Sequence, residues 1–107
     1  MIRVLFVCLG NICRSPMAEY VFKDMVKKEG IEKKFYIDSA GTSTEETGNP
    51  MHYGTESKLR EMNIKYGEHI ARRITKQDYE KFDYIIAMEE KNIADIKMPL
   101  AIPTVDI

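Results

Sequence analysis

The stretch that most constrains this chain is its start, where Ile2-Arg-Val-Leu-Phe-Val7 runs directly into Cys8-Leu-Gly-Asn-Ile-Cys-Arg-Ser15 and then Pro16. The first run is short, apolar and rich in β-branched residues, which predicts a buried parallel strand. It stops at Cys8. Gly10 and Asn11 tolerate positive φ, so a tight loop follows. Ser15-Pro16 then reads as an N-cap with proline at the first helical position. Ala18, Val21, Phe22 and Met25 recur at helical spacing and form one apolar stripe. Lys27 and Lys28 suit the negative end of that helix, and Gly30 suits its C′ position.

The rest of the chain repeats the alternation. Phe35 to Ser39 reads as a second strand, and Ala40-Gly41 opens a polar stretch reaching Pro50. Helical patterning over Thr55–Asn63 turns Leu59 and Met62 inward. Thr75 and Asp78 form a capping-box pattern opening a helix through Phe82. Tyr84–Met88 is a third apolar strand, and Lys91–Ile96 a short helix. The tail, Met98–Ile107, carries two prolines and supplies a short edge strand at most. This order predicts an α/β domain: a small parallel sheet flanked by helices in three layers. Right-handed crossovers put the loop after the first strand at the carboxyl edge of the sheet, where ligands of such folds bind. With 107 residues, the chain reads as one domain over 1–107.

Composition excludes several classes. With 16 basic and 17 acidic residues the formal net charge is −1, so no bulk attraction to nucleic acid or anionic membrane is expected. No apolar run has the length of a membrane span, and the first residues lack a signal-peptide layout, so the expected location is cytoplasmic. The two cysteines, Cys8 and Cys13, cannot build a secreted disulfide framework. Together with His52 and His69 they match no structural zinc spacing, and Arg14 beside the thiols would repel a cation, so no metal and no cofactor is expected. The methionines read as core filler.

The loop from Cys8 to Ser15 has the parts of an oxyanion site. A phosphate monoester is a dianion and needs donors and positive charge. Successive inward backbone N–H groups make an anion nest, and the following helix adds the positive end of its dipole. Arg14 can fork onto two phosphate oxygens, which lysine cannot. The same field favours a thiolate at Cys8, beneath the bound phosphorus. Attack by that sulfur would give a phosphocysteine intermediate, hydrolysed later by water. Leu9, Gly10, Asn11, Ile12 and Cys13 supply the wall of the loop, and Arg14 meets the charge on the transferring group. Ser15 would donate to the sulfur and improve it as a leaving group. A buried structural cysteine is the simpler reading of Cys8 alone. The Gly-Asn loop and the Arg-Ser-Pro helix start after it favour chemistry.

At these residues the chain resembles the low-molecular-weight protein tyrosine phosphatases. Cys8 through Glu19 is similar to the family signature. Asp38-Ser-Ala-Gly-Thr42, Gly48-Asn-Pro50, His69-Ile-Ala-Arg72, Asp78-Tyr79 and Phe82 through Met88 are further matches, so the likeness covers residues 1 to about 97. It implies a flavodoxin-like parallel sheet of about four strands. It implies Cys8 as nucleophile, Arg14 as phosphate clamp, and Asn11 as the residue holding a left-handed turn. Ser15, Ser39 and His69 are implied as hydrogen-bonding support. Cys13 resembles a second loop cysteine that can trap an oxidised nucleophile as a disulfide; simple loop packing is its other reading. The implied substrates are phosphotyrosine proteins or small aryl phosphates, with inorganic phosphate or sulfate as site ligands.

The chain departs from the family pattern in two places. The family's general acid is an aspartate in a late Asp-Pro-aromatic loop, and no such motif occurs here. Asp106 is the one candidate left for that role in the tail, though it lacks the following proline and aromatic. Without an acid, which contributes about 10²–10⁴-fold, phosphotyrosine would turn over poorly. The family's closing C-terminal helix is also missing, so the chain reads as C-terminally truncated. An uncovered sheet face would then promote self-association. In the polar loop, Glu45 and Glu46 stand where the family often has an aromatic. The main expectation is a phosphotyrosine protein phosphatase. The alternatives are a non-catalytic phosphate or phosphotyrosine binding module and an arsenate reductase on the same fold, which would need more cysteines than this chain has.

Overall fold

The structure, a computed structural model, describes residues 1–100 in backbone and residues 1–96 in side chain. Strands β1 (Ile2–Cys8), β2 (Phe35–Gly41) and β3 (Tyr84–Ala87) form one parallel sheet in the order β2-β1-β3. Between them lie α1 (Arg14–Lys28), a short 3₁₀ turn (Glu32–Lys34), α2 (Tyr53–Glu61) and α3 (Lys76–Lys81), and α4 (Glu90–Leu100) follows β3. The chain runs from β1 outward to β2, then crosses back to the other side of β1. The loop after β1 therefore opens at the point where strand order reverses, the usual ligand crevice of a doubly wound sheet.

β1 is central and apolar because both its faces are covered. Leu5 and Val7 face a core with Ala40, Ile74, Phe82, Ile85 and Ile96. Val4 and Phe6 face the opposite core with Val26 and Ile37, and Ala18 and Phe22 of α1 pack there. Strand alternation thus assigns odd positions to one helical layer and even positions to the other. A third cluster, Tyr20, Met51, Leu59 and Ile64, joins the outer side of α1 to α2. Met51 is core, but Met25 and Met62 are exposed, so methionine is not uniformly core filler.

Three expectations need correction. The helix after the loop starts at Arg14 with Cys13 as its cap and no side-chain cap bond, because the Ser15 hydroxyl is engaged in the loop. Pro16 falls within the first turn, where its missing N–H has no intrahelical acceptor to lose. The second helix starts at Tyr53, capped by His52 through Gly54 N–H donating to Nδ1 at 3.1 Å. α4 continues through Leu100, so Met98–Leu100 are helical rather than tail, Pro99 sitting in the last turn where it removes one bond. The described residues contribute three strands to the sheet. Any edge strand in the remainder of the tail, and Asp106 with it, lies outside the described residues. The Thr75–Asp78 capping box forms in both directions as the sequence predicts.

Candidate active site

The loop is built around Asn11. It has φ 59°, the one left-handed non-glycine residue of the loop. Gly10 is not in that region, so the tolerance for positive φ expected of both residues is used by Asn11 alone. Such a conformation costs on the order of 1 kcal/mol or more and persists only if its surroundings hold it. They do, at every polar atom. Asn11 Nδ2 donates to Ser15 Oγ at 2.9 Å and to Ser39 Oγ at 3.0 Å. Its Oδ1 accepts from Arg72 N–H at 3.1 Å, and its own N–H donates to Cys8 Sγ at 3.3 Å. Its carbonyl lies 2.6 Å from His69 Nε2. The residue is fully buried.

Support continues outward. The Ser39 hydroxyl donates to Glu19 Oε1 at 2.6 Å, and Lys23 Nζ meets Glu19 Oε2 at 2.5 Å. Glu19 is therefore a buried carboxylate satisfied from both sides, which is the condition for burying one at all. Ser15 Oγ lies 3.0 Å from Cys8 Sγ and 3.4 Å from the Ala40 carbonyl. With Asn11 Nδ2 occupying a lone pair of Ser15, its single proton has the sulfur as its nearer acceptor when the sulfur is a thiolate.

The decisive geometry is in the loop carbonyls. Cys8 O accepts from Thr42 N–H at 3.0 Å, and Leu9 O from Thr42 and Ser43 N–H at 3.0 and 2.9 Å. Asn11 O bonds His69, Ile12 O accepts from His52 N–H at 2.8 Å, and Cys13 O from Met17 N–H at 3.1 Å. In a planar trans peptide the following N–H points opposite to the C=O. The N–H groups of Leu9, Gly10, Ile12, Cys13 and Arg14 therefore face away from the scaffold, on the other side of the loop. Among the described residues, those of Gly10, Ile12 and Cys13 have no protein acceptor. A set of convergent, unclaimed donors at a helix start is an anion nest.

Gly41 lets this loop sit against β2. A Cβ there would lie 2.8 Å from Leu9 O and 3.1 Å from the Gly10 carbonyl carbon, so only glycine fits. Arg14 is half-exposed and pairs with Glu89 Oε1 at 3.2 Å. Glu89 comes from the turn after β3 and is held there by its N–H donating to Asn92 Oδ1 at 3.1 Å. Glu46 rather than Glu45 packs on the loop: its Cγ lies 3.1 Å from where a Gly10 Cβ would stand. Cys13 is exposed, which speaks against the loop-packing reading, whereas Cys8 is buried.

The structure thus gathers Cys8, Asn11, Ser15, Ser39 and His69 into one network, with Arg14 at its edge. Sequence reasoning did not single out Glu19, Gly41, the Arg72 backbone or Glu89. Gly41, a glycine at the end of a strand, was the one with a local signal. The others depend on partners distant in sequence.

The sequence matches the family described as low molecular weight phosphotyrosine protein phosphatase over residues 3–101. It is 52% identical over 97 residues to the low molecular weight protein-tyrosine-phosphatase YfkJ of Bacillus subtilis, covering 91% of this chain and 62% of that protein. The chicken low molecular weight phosphotyrosine protein phosphatase is 53% identical over 94 residues, 88% of this chain and 59% of its own length. The crystal structure of YfkJ superposes with a TM-score of 0.88 over 91% of this chain and 61% of that one. The chain therefore spans about three-fifths of the length of these relatives. Family match, sequence identity and superposition agree on one assignment: this chain belongs to the low molecular weight phosphotyrosine protein phosphatase family.

Proposed function

We propose that this chain is a cysteine-dependent, metal-independent phosphatase whose substrate class is phosphotyrosine in proteins. The observation that carries the reading is the loop of outward-held carbonyls, with Cys8 Sγ at its base and unclaimed N–H donors opposite. Such donors match the equatorial oxygens of a transferring phosphoryl group, and Arg14, released from Glu89, adds a planar fork. The names of the relatives supply the phosphotyrosine part of the proposal.

In the first step the Cys8 thiolate attacks phosphorus, an S–P bond forms, and the P–O bond to the aryl group breaks. The departing aryloxide takes up a proton from an acid or from water. In the second step water attacks phosphorus, the P–S bond breaks, and inorganic phosphate leaves with the thiolate restored. The Ser15 hydroxyl, 3.0 Å from the sulfur, stabilises the thiolate as it departs. Asn11 and its partners Ser39 and His69 hold the loop, with no part in bond making. The exposed thiol of Cys13 suits a reversible disulfide with an oxidised Cys8.

Stopped-flow release of nitrophenolate from p-nitrophenyl phosphate, with Cys8→Ser as control, tests the proposal. Sustained turnover that disappears in the control supports a phosphatase. A burst equal to the protein concentration means the cycle stops at phosphocysteine, and comparison with phosphotyrosine then shows whether an acid serves the leaving group. Absence of release with vanadate still bound would replace the enzyme by a phosphate-binding module.

A further inference from the structure

Arg72 is 61 positions from Asn11 in sequence, yet its N–H holds Asn11 Oδ1. Its carbonyl accepts from Gly41 N–H at 2.8 Å, and Ile74 N–H donates to Gly41 O at 2.8 Å. The backbone here touches the end of β2 through a single parallel bridge between Gly41 and Arg73. On its other side the segment exchanges backbone bonds with the Gly48–Asn49 turn, Ala71 N–H donating to Asn49 O and Gly48 N–H to Ala71 O, each at 2.9 Å. The Arg72 side chain adds a separate set of ties, to the middle of β2 and the start of α3.

Its guanidinium forks onto Asp78, Nη1 to Oδ2 at 2.7 Å and Nη2 to Oδ1 at 3.1 Å, and Nη2 also reaches Asp38 Oδ2 at 3.1 Å. Both carboxylates are themselves fixed. Asp78 Oδ2 accepts from Thr75 N–H at 2.7 Å and from the Thr75 hydroxyl at 3.0 Å. Asp38 Oδ1 accepts from Ser39 N–H at 2.8 Å, and Ser39 is the residue whose hydroxyl accepts from Asn11. One guanidinium therefore ties the start of α3 and the middle of β2 to the segment that carries the loop's N–H donor.

We propose that Arg72 is a positioning residue for the anion loop: clamped between Asp38 and Asp78, its side chain sets the place of the backbone N–H that keeps Asn11 left-handed. The consequence for phosphate rests on the phosphatase reading, but the clamp itself can be read without turnover. Replacing the side chain leaves the backbone N–H in the chain, so any change in the loop reports placement rather than loss of a donor. Lysine keeps the charge but cannot fork onto Asp78 while reaching Asp38.

The test compares Arg72→Ala, Arg72→Lys and Asp78→Asn with Ile64→Ala, a core variant in the distant third cluster, at matched loss of melting temperature. Amide hydrogen exchange is followed by NMR at position 72, Thr42, Ser43 and His52, whose N–H groups hold the loop. Vanadate affinity is measured alongside. Arg72→Ala should speed exchange at these sites at least tenfold relative to Ile64→Ala and weaken vanadate by a similar factor, with Arg72→Lys recovering part of both. Equal exchange in Arg72→Ala and Ile64→Ala would overturn the proposal, as would lysine performing no better than alanine. If Arg72→Ala does not fold, Asp38→Asn removes one of the three bonds, and a smaller rise in exchange at the same sites is required. If the parent chain itself binds no vanadate, the phosphatase reading fails while the exchange comparison still decides the clamp.

Discussion

His69 Nε2 lies 2.6 Å from the carbonyl oxygen of Asn11, a residue with no solvent exposure. A carbonyl can only accept, so the imidazole carries its proton on Nε2 and donates it to the loop. That bond also turns the next N–H, at Ile12, away from the scaffold. His69→Ala would strand a buried carbonyl, at a cost of about 1–3 kcal/mol. Thermal unfolding should show the loss, and vanadate titration a weaker site. An unchanged vanadate affinity would mean the loop keeps its shape without His69.

Gly41 and Gly10 should respond differently to alanine. At Gly41 the added Cβ meets backbone, 2.8 Å from Leu9 O, whereas at Gly10 it meets the flexible Glu46 side chain at 3.1 Å. Gly41→Ala is expected to abolish vanadate binding, and Gly10→Ala to reduce it by less than about tenfold, the difference corresponding to more than about 1.4 kcal/mol. Isothermal titration of the two variants checks the order. The reverse order would contradict the close packing of the loop on β2.

Asp78 gives a pH dependence. Burial pushes its carboxyl up, but the hydrogen bonds from Arg72 and Thr75 and the Arg72 charge outweigh it and hold the carboxyl below its ordinary value of 3.8. The unfolded chain therefore takes up this proton at higher pH than the folded one. The stabilisation is complete above the unfolded value and is lost as pH falls through the folded one. Urea unfolding of Asp78→Asn should show lower stability near neutrality and a shallower decline than the parent from about pH 5 downward. Parallel declines would show that Asp78 contributes nothing to acid unfolding.

Glu89 should matter more to anion binding than to stability. Its ion pair with Arg14 at 3.2 Å joins two half-exposed side chains, a type worth less than about 1 kcal/mol. Glu89→Gln removes a negative charge from the mouth of the site and frees Arg14. The melting temperature should stay nearly constant, while phosphate should bind about threefold tighter at low salt, an advantage that fades as salt is added. Weaker phosphate binding would instead assign Glu89 to holding Arg14 in its binding pose.

The local parts of this protein follow from the order of its residues. The left-handed turn at Asn11 is held by the distant Ser39, His69 and Arg72, whereas the apolar β-branched run ending at Cys8 is decided by neighbours in the chain, so the linear sequence is enough to read it. The capping box at Thr75 and Asp78 is legible for the same reason. The family resemblance added Ser39 and His69, which no local pattern marks. Even close at hand, competition was hidden: Ser15 reads as a helix cap, but its hydroxyl is taken by Asn11 and Cys8, and the helix begins two residues earlier, at Arg14 with Cys13 as its cap.

The contacts that hold the loop in shape depend instead on the folded path of the chain. The strand order β2-β1-β3 lays the ends of β2 and β3 on either side of Cys8. That arrangement brings Glu89 to Arg14 across 75 positions and Arg72 to Asn11 across 61. Glu19 could have been a solvated helix carboxylate by sequence, yet packing of α1 on β2 buries it against the Ser39 hydroxyl. A hydrogen bond needs two groups within about 3 Å, and for residues this far apart only the path of the backbone through the sheet can supply that distance.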